Sequence, residues 1–356
     1  MKLICEPSDF EVPIAIVGAG GTSLAVLDIL GENKKLVTLI VDNDSNLVGS
    51  KIEEVNLHVC KIEDLREFDG EILIACAGNE FLRAQLEDLG LDQVNYHYNY
   101  LSNRALFDSW TNNSAIFEEI VSELRSGESK ESLKSIFASV QSKNFLRAFN
   151  AVVPTPFFGS QAFQIQQGER LVDVGSYRGR HLQTLTLSDL KSIEKVTLIE
   201  PDKSNNDFLM GLFSADDAKD ALWKSKLQIL NVAIKQTTGY GRNVGGGISN
   251  SISSYEVSNR SLIEHAEVEV ISLNELDNLA PTLITVDVEG DEIDLLSGGI
   301  DLISKYRPRI AISTYHRPDH LELIYKFFKK FPGDKRFEFR LHDYGYMDQV
   351  LYVQFT

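Results

Sequence analysis

The stretch LITVDVEGDEIDLLSGG, residues 283 to 299, places two carboxylates, Asp287 and Glu289, at the end of an apolar run and follows them with glycine. Acids in a buried parallel strand are costly unless a ligand or a base pairs with them. Read as a continuing strand, the run puts both on one face, because side chains two apart in a strand point the same way. Three roles fit such a pair. They face a substrate and the group transferred to it, they coordinate a divalent cation, or they are held by Arg307 or Arg309 as a structural pair. His316, in PRIAISTYHRPDH, falls just past the next apolar run. A neutral imidazole there takes a proton from an acceptor hydroxyl, or else caps the helix that begins near Pro318. His342, in FRLHDYGY, is a second candidate base, and Asp287, Glu289, His316 and His342 together offer the mixed oxygen and nitrogen donors of a metal site.

LVDVGSYRGR, residues 171 to 180, carries a different chemistry. A buried strand ends, Asp173 stands near its tip, and Gly175 and Gly179 let the backbone turn tightly and approach a ligand before the next helix. In the neighbouring run, VTLIEP, Glu200 occupies the place where an acid accepts hydrogen bonds from both hydroxyls of a ribose. Together, turn and acid select a nucleoside ligand. A related pattern opens the chain: IAIVGAGGTSLAVLDIL holds Gly18, Gly20 and Gly21, with Ser23 where a third small residue is wanted. Asp42 of VDND lies 24 residues beyond Gly18, a suitable distance for a ribose-binding acid.

The elements that position these residues follow from periodicity. Apolar, β-branched runs at PIAIVGAG, LVTLIVDND and EILIACAG alternate with helical patterns, predicting a small parallel sheet over residues 1–100. Residues 101–154 have few strand formers and read as a helical connector. Over 155–356, RLVDVG, KVTLIEP, LQILNVAI, LITVDVEG and PRIAISTYH are strands, and FEFRLHD with QVLYVQF is a terminal hairpin. The fold class is therefore α/β with two Rossmann-like domains, the second built on a seven-stranded mixed sheet. GYGRNVGGGISNSISSYEVSNR, residues 239–260, is rich in Gly, Ser and Asn. It reads as a long loop at the site edge, either an acceptor lid using Tyr240, Arg242 and Tyr255 or an inserted mobile segment.

At this point the second half resembles the FkbM-type class I S-adenosylmethionine-dependent methyltransferases. The likeness rests on LVDVGSYRGRHLQTL, VTLIEPDKSNNDFL, NVAI, VISLNELDN and, above all, LITVDVEGDEIDLLSGGIDLISKYRPRIAIS. It implies a class I methyltransferase sheet and a cofactor site of Asp173, Gly175, Ser176 and Gly179 around the methionine moiety. Glu200 would hold the ribose, with Asp287 beside the transferred methyl. Two departures stand out: the turn reads SYRG, which places Tyr177 and Arg178 in the loop, and Asn274 replaces the usual acid of V-x-S-L-D-x-L. The first half resembles the nucleotide-sugar-binding domains of sugar acyltransferases, with Thr22 and Ser23 where those often carry histidine. That supports either an active nucleotide site or a degenerate domain kept for packing in a homo-oligomer.

Composition limits the partners. With 35 basic against 52 acidic residues the formal charge is −17, a field that repels phosphate backbones and excludes nucleic acid as a natural substrate. Cys5, Cys60 and Cys76 form no CxxC pair, and the opening MKLICEPSDFEVP lacks the charged-then-apolar pattern of a secretory leader. The run VPIAIVGAGGTSLAVL is broken by GAGG and is no membrane span. The expectation is a cytoplasmic O-methyltransferase acting on a hydroxyl of a saccharide, nucleotide-linked sugar or related small polyhydroxylated acceptor. The rivals are a nicotinamide-dependent oxidoreductase or epimerase using the first domain, which lacks a following Tyr-x-x-x-Lys, and a non-catalytic nucleotide-binding assembly protein.

Overall fold

Short apolar runs form the central strands of the six- and seven-stranded sheets. The computed structural model describes residues 11–76, 80–91, 96–97, 113–142, 151–153, 157–158, 163–179, 181–212, 218–244, 251–258, 268–317, 319–342 and 348–356. The chain forms two compact units, one of residues 1–121, 127–154 and 340–347, the other of 122–126, 155–339 and 348–356. Helices Ser114–Glu123 and Gly127–Ser142 occupy much of the predicted connector.

The first unit contains strands β1 (Ile14–Val17), β2 (Val37–Asp42), β3 (Lys51–Ile52), β4 (Leu57–Lys61), β5 (Glu71–Ile74) and β6 (Tyr96–His97), in the order β3-β4-β2-β1-β5-β6. β1 lies between β2 and β5 and parallel to both, and every residue of it is buried, as a central strand covered on two faces requires.

In the second unit the strands are β7 (Glu169–Val174), β8 (Ile193–Ile199), β9 (Leu227–Leu230), β10 (Val232–Lys235), β11 (Gly239–Val244), β12 (Ser251–Ser258), β13 (Val268–Ser272), β14 (Leu283–Val286) and β15 (Arg309–Ser313). Two more, β16 (Lys335–Leu341) and β17 (Gln349–Phe355), complete a seven-stranded sheet ordered β16-β17-β15-β14-β7-β8-β9. β9, β8, β7, β14 and β15 run parallel and β17 runs antiparallel to β15, so the expected mixed sheet is present. The strand order reverses at β7, between β8 and β14. In such sheets ligands bind outside the carboxyl ends of the strands at that switch point.

Two expectations need correction. LQILNVAI is two strands, because Asn231 donates its side-chain amide to Glu200 O and Pro201 O at 3.0 and 2.9 Å and ends β9 there. β10 then joins a separate four-stranded sheet, β10-β13-β11-β12. Residues 239–244 and 251–258 are not loop but paired antiparallel strands, with Tyr240 opposite Ser258 and Arg242 opposite Ser253. Backbone ladder bonds outweigh the weak strand propensity of their glycines and serines. Arg309 does not take the structural-pair role weighed for it. Lying at the start of β15, it bonds to Glu169 at the start of β7, whose other oxygen accepts from Thr282 Oγ1 at 2.6 Å. That ion pair sits at the amino end of the parallel strands and leaves Asp287 and Glu289 without Arg309.

Candidate active site

The turn after β7 is shaped by one glycine. Gly175 has φ +81°, and a Cβ on it would stand 1.8 Å from Asp287 O, so only glycine lets the β7 turn close against the turn that follows β14. Ser176 is buried and donates its hydroxyl to Asp173 O at 2.9 Å, and Gly179 closes the loop with φ +68° and a backbone bond to Ser176 O. Arg178 lies over the rings of Tyr177 and Phe208 at 5.6 and 5.1 Å, so the unusual SYRG turn is braced by a cation over aromatic faces.

Asp173 is buried and does more than end a strand. Its Oδ1 accepts from Thr285 Oγ1 and lies 2.9 Å from His181 Nε2, while its Oδ2 is buried without a hydrogen-bond partner. Burial pushes its carboxyl up, but the charge and hydrogen bond of His181 and the bonds from Thr285 and Ser176 outweigh that and hold it below 3.8. Burial likewise pulls His181 down, and Asp173 with Asp287 carries it above 6.5. Phe157 and Phe158 pack on the His181 ring at 4.8 and 6.2 Å. His181 was not legible as a site residue: in RGRHLQTL it follows the glycine turn with no local motif, and only the fold brings it back to Asp173.

This pair makes a pH prediction. The His181 contribution is complete below about 6.5 and fades as pH rises through its raised folded value. The Asp173 contribution is complete above about 3.8 and fades as pH falls through its lowered one. His181→Leu, which leaves a buried carboxylate uncompensated, is expected to cost about 3–5 kcal/mol near pH 6. The gap should narrow in alkali. Urea midpoints of both proteins at pH 6 and at pH 9.5 check this; a gap that widens in alkali contradicts it.

Glu200, 4% exposed, ends β8 beside the same turn. Its Oε2 accepts from Tyr177 N at 2.7 Å, and its Oε1 from Asp202 N at 2.8 Å and Asn205 Nδ2 at 3.3 Å. Burial raises its pKa despite those bonds. A carboxylate has about four acceptor positions, so one remains for a ribose hydroxyl, and a second opens when Tyr177 N or Asn205 lets go. The Gly175 cradle, the unpartnered Asp173 Oδ2 and Glu200 together fit an adenosine-bearing ligand with an amino-acid tail.

Across the Gly175 contact lies the acidic turn. β14 ends at Val286, and Glu289 takes φ +52°, so Asp287 and Glu289 do not share a strand face as expected. The turn brings them together all the same. His316 Nε2 stands 3.4 Å from Asp287 Oδ1 and 3.5 Å from Glu289 Oε2, and its Nδ1 is 2.7 Å from Glu292 Oε1. The Asp287 and Glu289 side chains remain 25% and 31% exposed, within reach of a substrate, whereas His316 is at 7% and Glu292 fully buried. Tyr315 Oη donates to Asp287 Oδ1 at 3.4 Å. Lys235, buried, pairs with Asp291 at 3.0 Å and fixes the back of the turn.

Electrostatics assign the protons. Burial pulls His316 down, but hydrogen bonding and charge from Glu292, then Asp287 and Glu289, raise it to about 9. That value favours the imidazolium at neutral pH unless a ligand at Nε2 displaces its proton. Glu289 is pushed up to about 6 by burial, against the His316 charge and with that of Asp287. Asp287 is raised by burial as well. Glu292 resists burial because His316 and His320 hold it well below the usual carboxylate range. His342, the other expected base, has its Nδ1 2.6 Å from Val153 O, and burial drives it down to about 4. It is neutral at neutral pH. Asn274 braces a neighbouring helix: its Oδ1 accepts from Leu302 N at 3.0 Å. Glu292, to which the sequence reading gave no role, was visible only as one more acid in GDEID.

In the first unit, Gly18 has φ +106°, and a Cβ there would press on Ala75 O at 3.0 Å, whereas Gly20 and Gly21 face open space at the start of helix Gly21–Leu30. Ser23 is buried and donates to Gly20 O at 2.6 Å. Asp42 Oδ2 accepts from Ala19 N at 2.7 Å and Oδ1 from Asp44 N at 2.8 Å, the same two bonds Glu200 makes with Tyr177 and Asp202. The Tyr255 and Arg242 side chains lie outside the described residues.

Comparison with known proteins agrees with the geometry of the second unit. Residues 173–346 match the family model of the methyltransferase FkbM domain. In fold, the chain is similar to methyltransferase FkbM from Methylobacillus flagellatus KT, with a TM-score of 0.72 at 19% identity over 97% of this chain and 90% of that one. A precorrin-6y C5,15-methyltransferase from Geobacter metallireducens GS-15 shows a TM-score of 0.32 at 8% identity, over 55% of this chain and 83% of that one, too little to bear on the site. No curated protein matches the chain.

Proposed function

We propose that this chain, whose residues 173–346 match the family model of the methyltransferase FkbM domain, moves a methyl group from S-adenosylmethionine to a hydroxyl of a saccharide or nucleotide-linked sugar. One observation carries the reading: Gly175, in the turn suited to the cofactor, touches Asp287, in the turn suited to the acceptor. The two half-sites are therefore held at contact distance. Bound at the β7 turn, S-adenosylmethionine supplies an activated methyl on a sulfonium, and transfer needs little else than in-line placement of a nucleophile.

The chain's own residues provide that placement. Asp173 and Glu200 orient the two ends of the donor, and Gly175 lets it approach the backbone. Asp287 accepts a hydrogen bond from the acceptor, and Glu289, ionised at neutral pH yet raised to about 6, takes the hydroxyl proton as the new C–O bond forms. A cluster of three carboxylates favours a neutral polyol over an anionic acceptor surface. In the first unit, the open glycines and Asp42 offer a place for a nucleotide. The test is incubation of the protein with methyl-labelled donor and a panel of nucleotide sugars and oligosaccharides. The expected product is one methylene heavier and stable to alkali, as an ether is. An alkali-labile ester, or label on nitrogen, would overturn the hydroxyl assignment.

A further inference from the structure

We infer that His316, Asp287 and Glu289 form a binding site for one first-row divalent cation, with Glu292 fixing the imidazole from behind. This deepens the proposed function and rests on it only for the cation's use, not for its binding. The His316 side chain is more than nine-tenths buried, and its Nε2 makes no hydrogen bond, although it points between two carboxylates. Its separations of 3.4 and 3.5 Å from Asp287 Oδ1 and Glu289 Oε2 are the edges expected when donors share an ion at about 2.0–2.2 Å.

The other ring nitrogen supplies the second argument. Metal-bound histidines typically give their remaining N–H to a carboxylate, which sets the tautomer and the ring plane. Glu292 is such a carboxylate: fully buried, 2.7 Å from Nδ1, and itself braced by Val288 N at 3.2 Å and by His320 Nδ1 at 3.0 Å from its other oxygen. Charge points the same way. Among the described residues no Lys or Arg pairs with Asp287, Glu289 or Glu292, since Lys235 holds Asp291 and Arg309 holds Glu169.

One imidazole nitrogen and two carboxylate oxygens suit manganese, iron or zinc better than magnesium or calcium. Three protein donors leave positions open for hydroxyl oxygens of the acceptor. A hydroxyl on the ion loses its proton more readily, and Glu289, ligating through Oε2, keeps Oε1 to receive it. The O–H bond breaks as the O–CH₃ bond forms, the sulfonium leaves as a thioether, and the ion keeps its oxidation state.

The test is titration of metal-stripped full-length protein with Mn²⁺, read by loss of the free-ion electron spin resonance signal. One ion per chain is expected. Glu289→Gln, at a partly exposed position, and His316→Ala should each weaken binding at least about tenfold, and Glu292→Gln about 10- to 100-fold. Absence of binding to the parent protein, or unchanged affinity in both Glu289→Gln and His316→Ala, would overturn the site. Titration of the same stripped protein with S-adenosylhomocysteine separates the two ideas. Cofactor binding and methyl transfer without any Mn²⁺ binding would remove the cation and leave the methyltransferase.

Discussion

Gly175→Ala is expected to lower stability by about 2–5 kcal/mol and turnover by at least about 10²-fold. Two costs add. At φ +81° an L side chain is strained by about 1–2 kcal/mol, and the new Cβ would meet Asp287 O at 1.8 Å and Asp287 C at 2.7 Å, backbone atoms that cannot rotate away. Relief requires the turn after β14 to move, and that movement takes Asp287 away from His316 and Tyr315. Gly168→Ala provides the control. Its φ is +78°, but nothing lies within 4 Å of an added Cβ, so it should show the strain without the clash. Urea midpoints of the two variants, with turnover beside them, separate the terms. Equal destabilisation by the two would mean that the Gly175 contact matters little.

Glu289→Gln is expected to lower turnover by about 10²- to 10⁴-fold while leaving the affinity for S-adenosylhomocysteine within about twofold. The substitution is nearly isosteric on a side chain 31% exposed, so the fold should tolerate it. What it removes is the anionic oxygen opposite His316 Nε2. A thermal midpoint within a few degrees of the parent, together with the turnover loss, would place the effect in chemistry. Full activity in the variant would exclude Glu289 as proton acceptor.

The large features of the second unit were legible because parallel strands covered on both faces must be continuous apolar runs. RLVDVG, VTLIEP, LITVDVEG and PRIAIS announce themselves in that way, and glycine after a strand marks where a backbone turns tightly. What could not be read is whatever depends on a turn's path. Asp287 and Glu289 were expected to converge by strand alternation; they converge because Glu289 adopts a left-handed conformation ahead of Gly290, which no periodicity reveals. His181 and Glu292 were silent for a related reason, since one lies beyond a glycine turn from Asp173 and the other hides among neighbouring acids. The expected loop at 239–260 failed differently: β11 pairs with β12 inside the segment and with β13 beyond it, and local propensity carries no trace of either ladder.

Calorimetric titration of S-adenosylhomocysteine into the parent protein and Glu200→Ala tests the β7–β8 crevice most directly. The parent should bind one molecule per chain, and Glu200→Ala should bind about 10- to 100-fold more weakly, the worth of a hydrogen bond to a charged group. No heat of binding in the parent, or equal affinity in the two proteins, would contradict a cofactor cradled between Gly175 and Glu200.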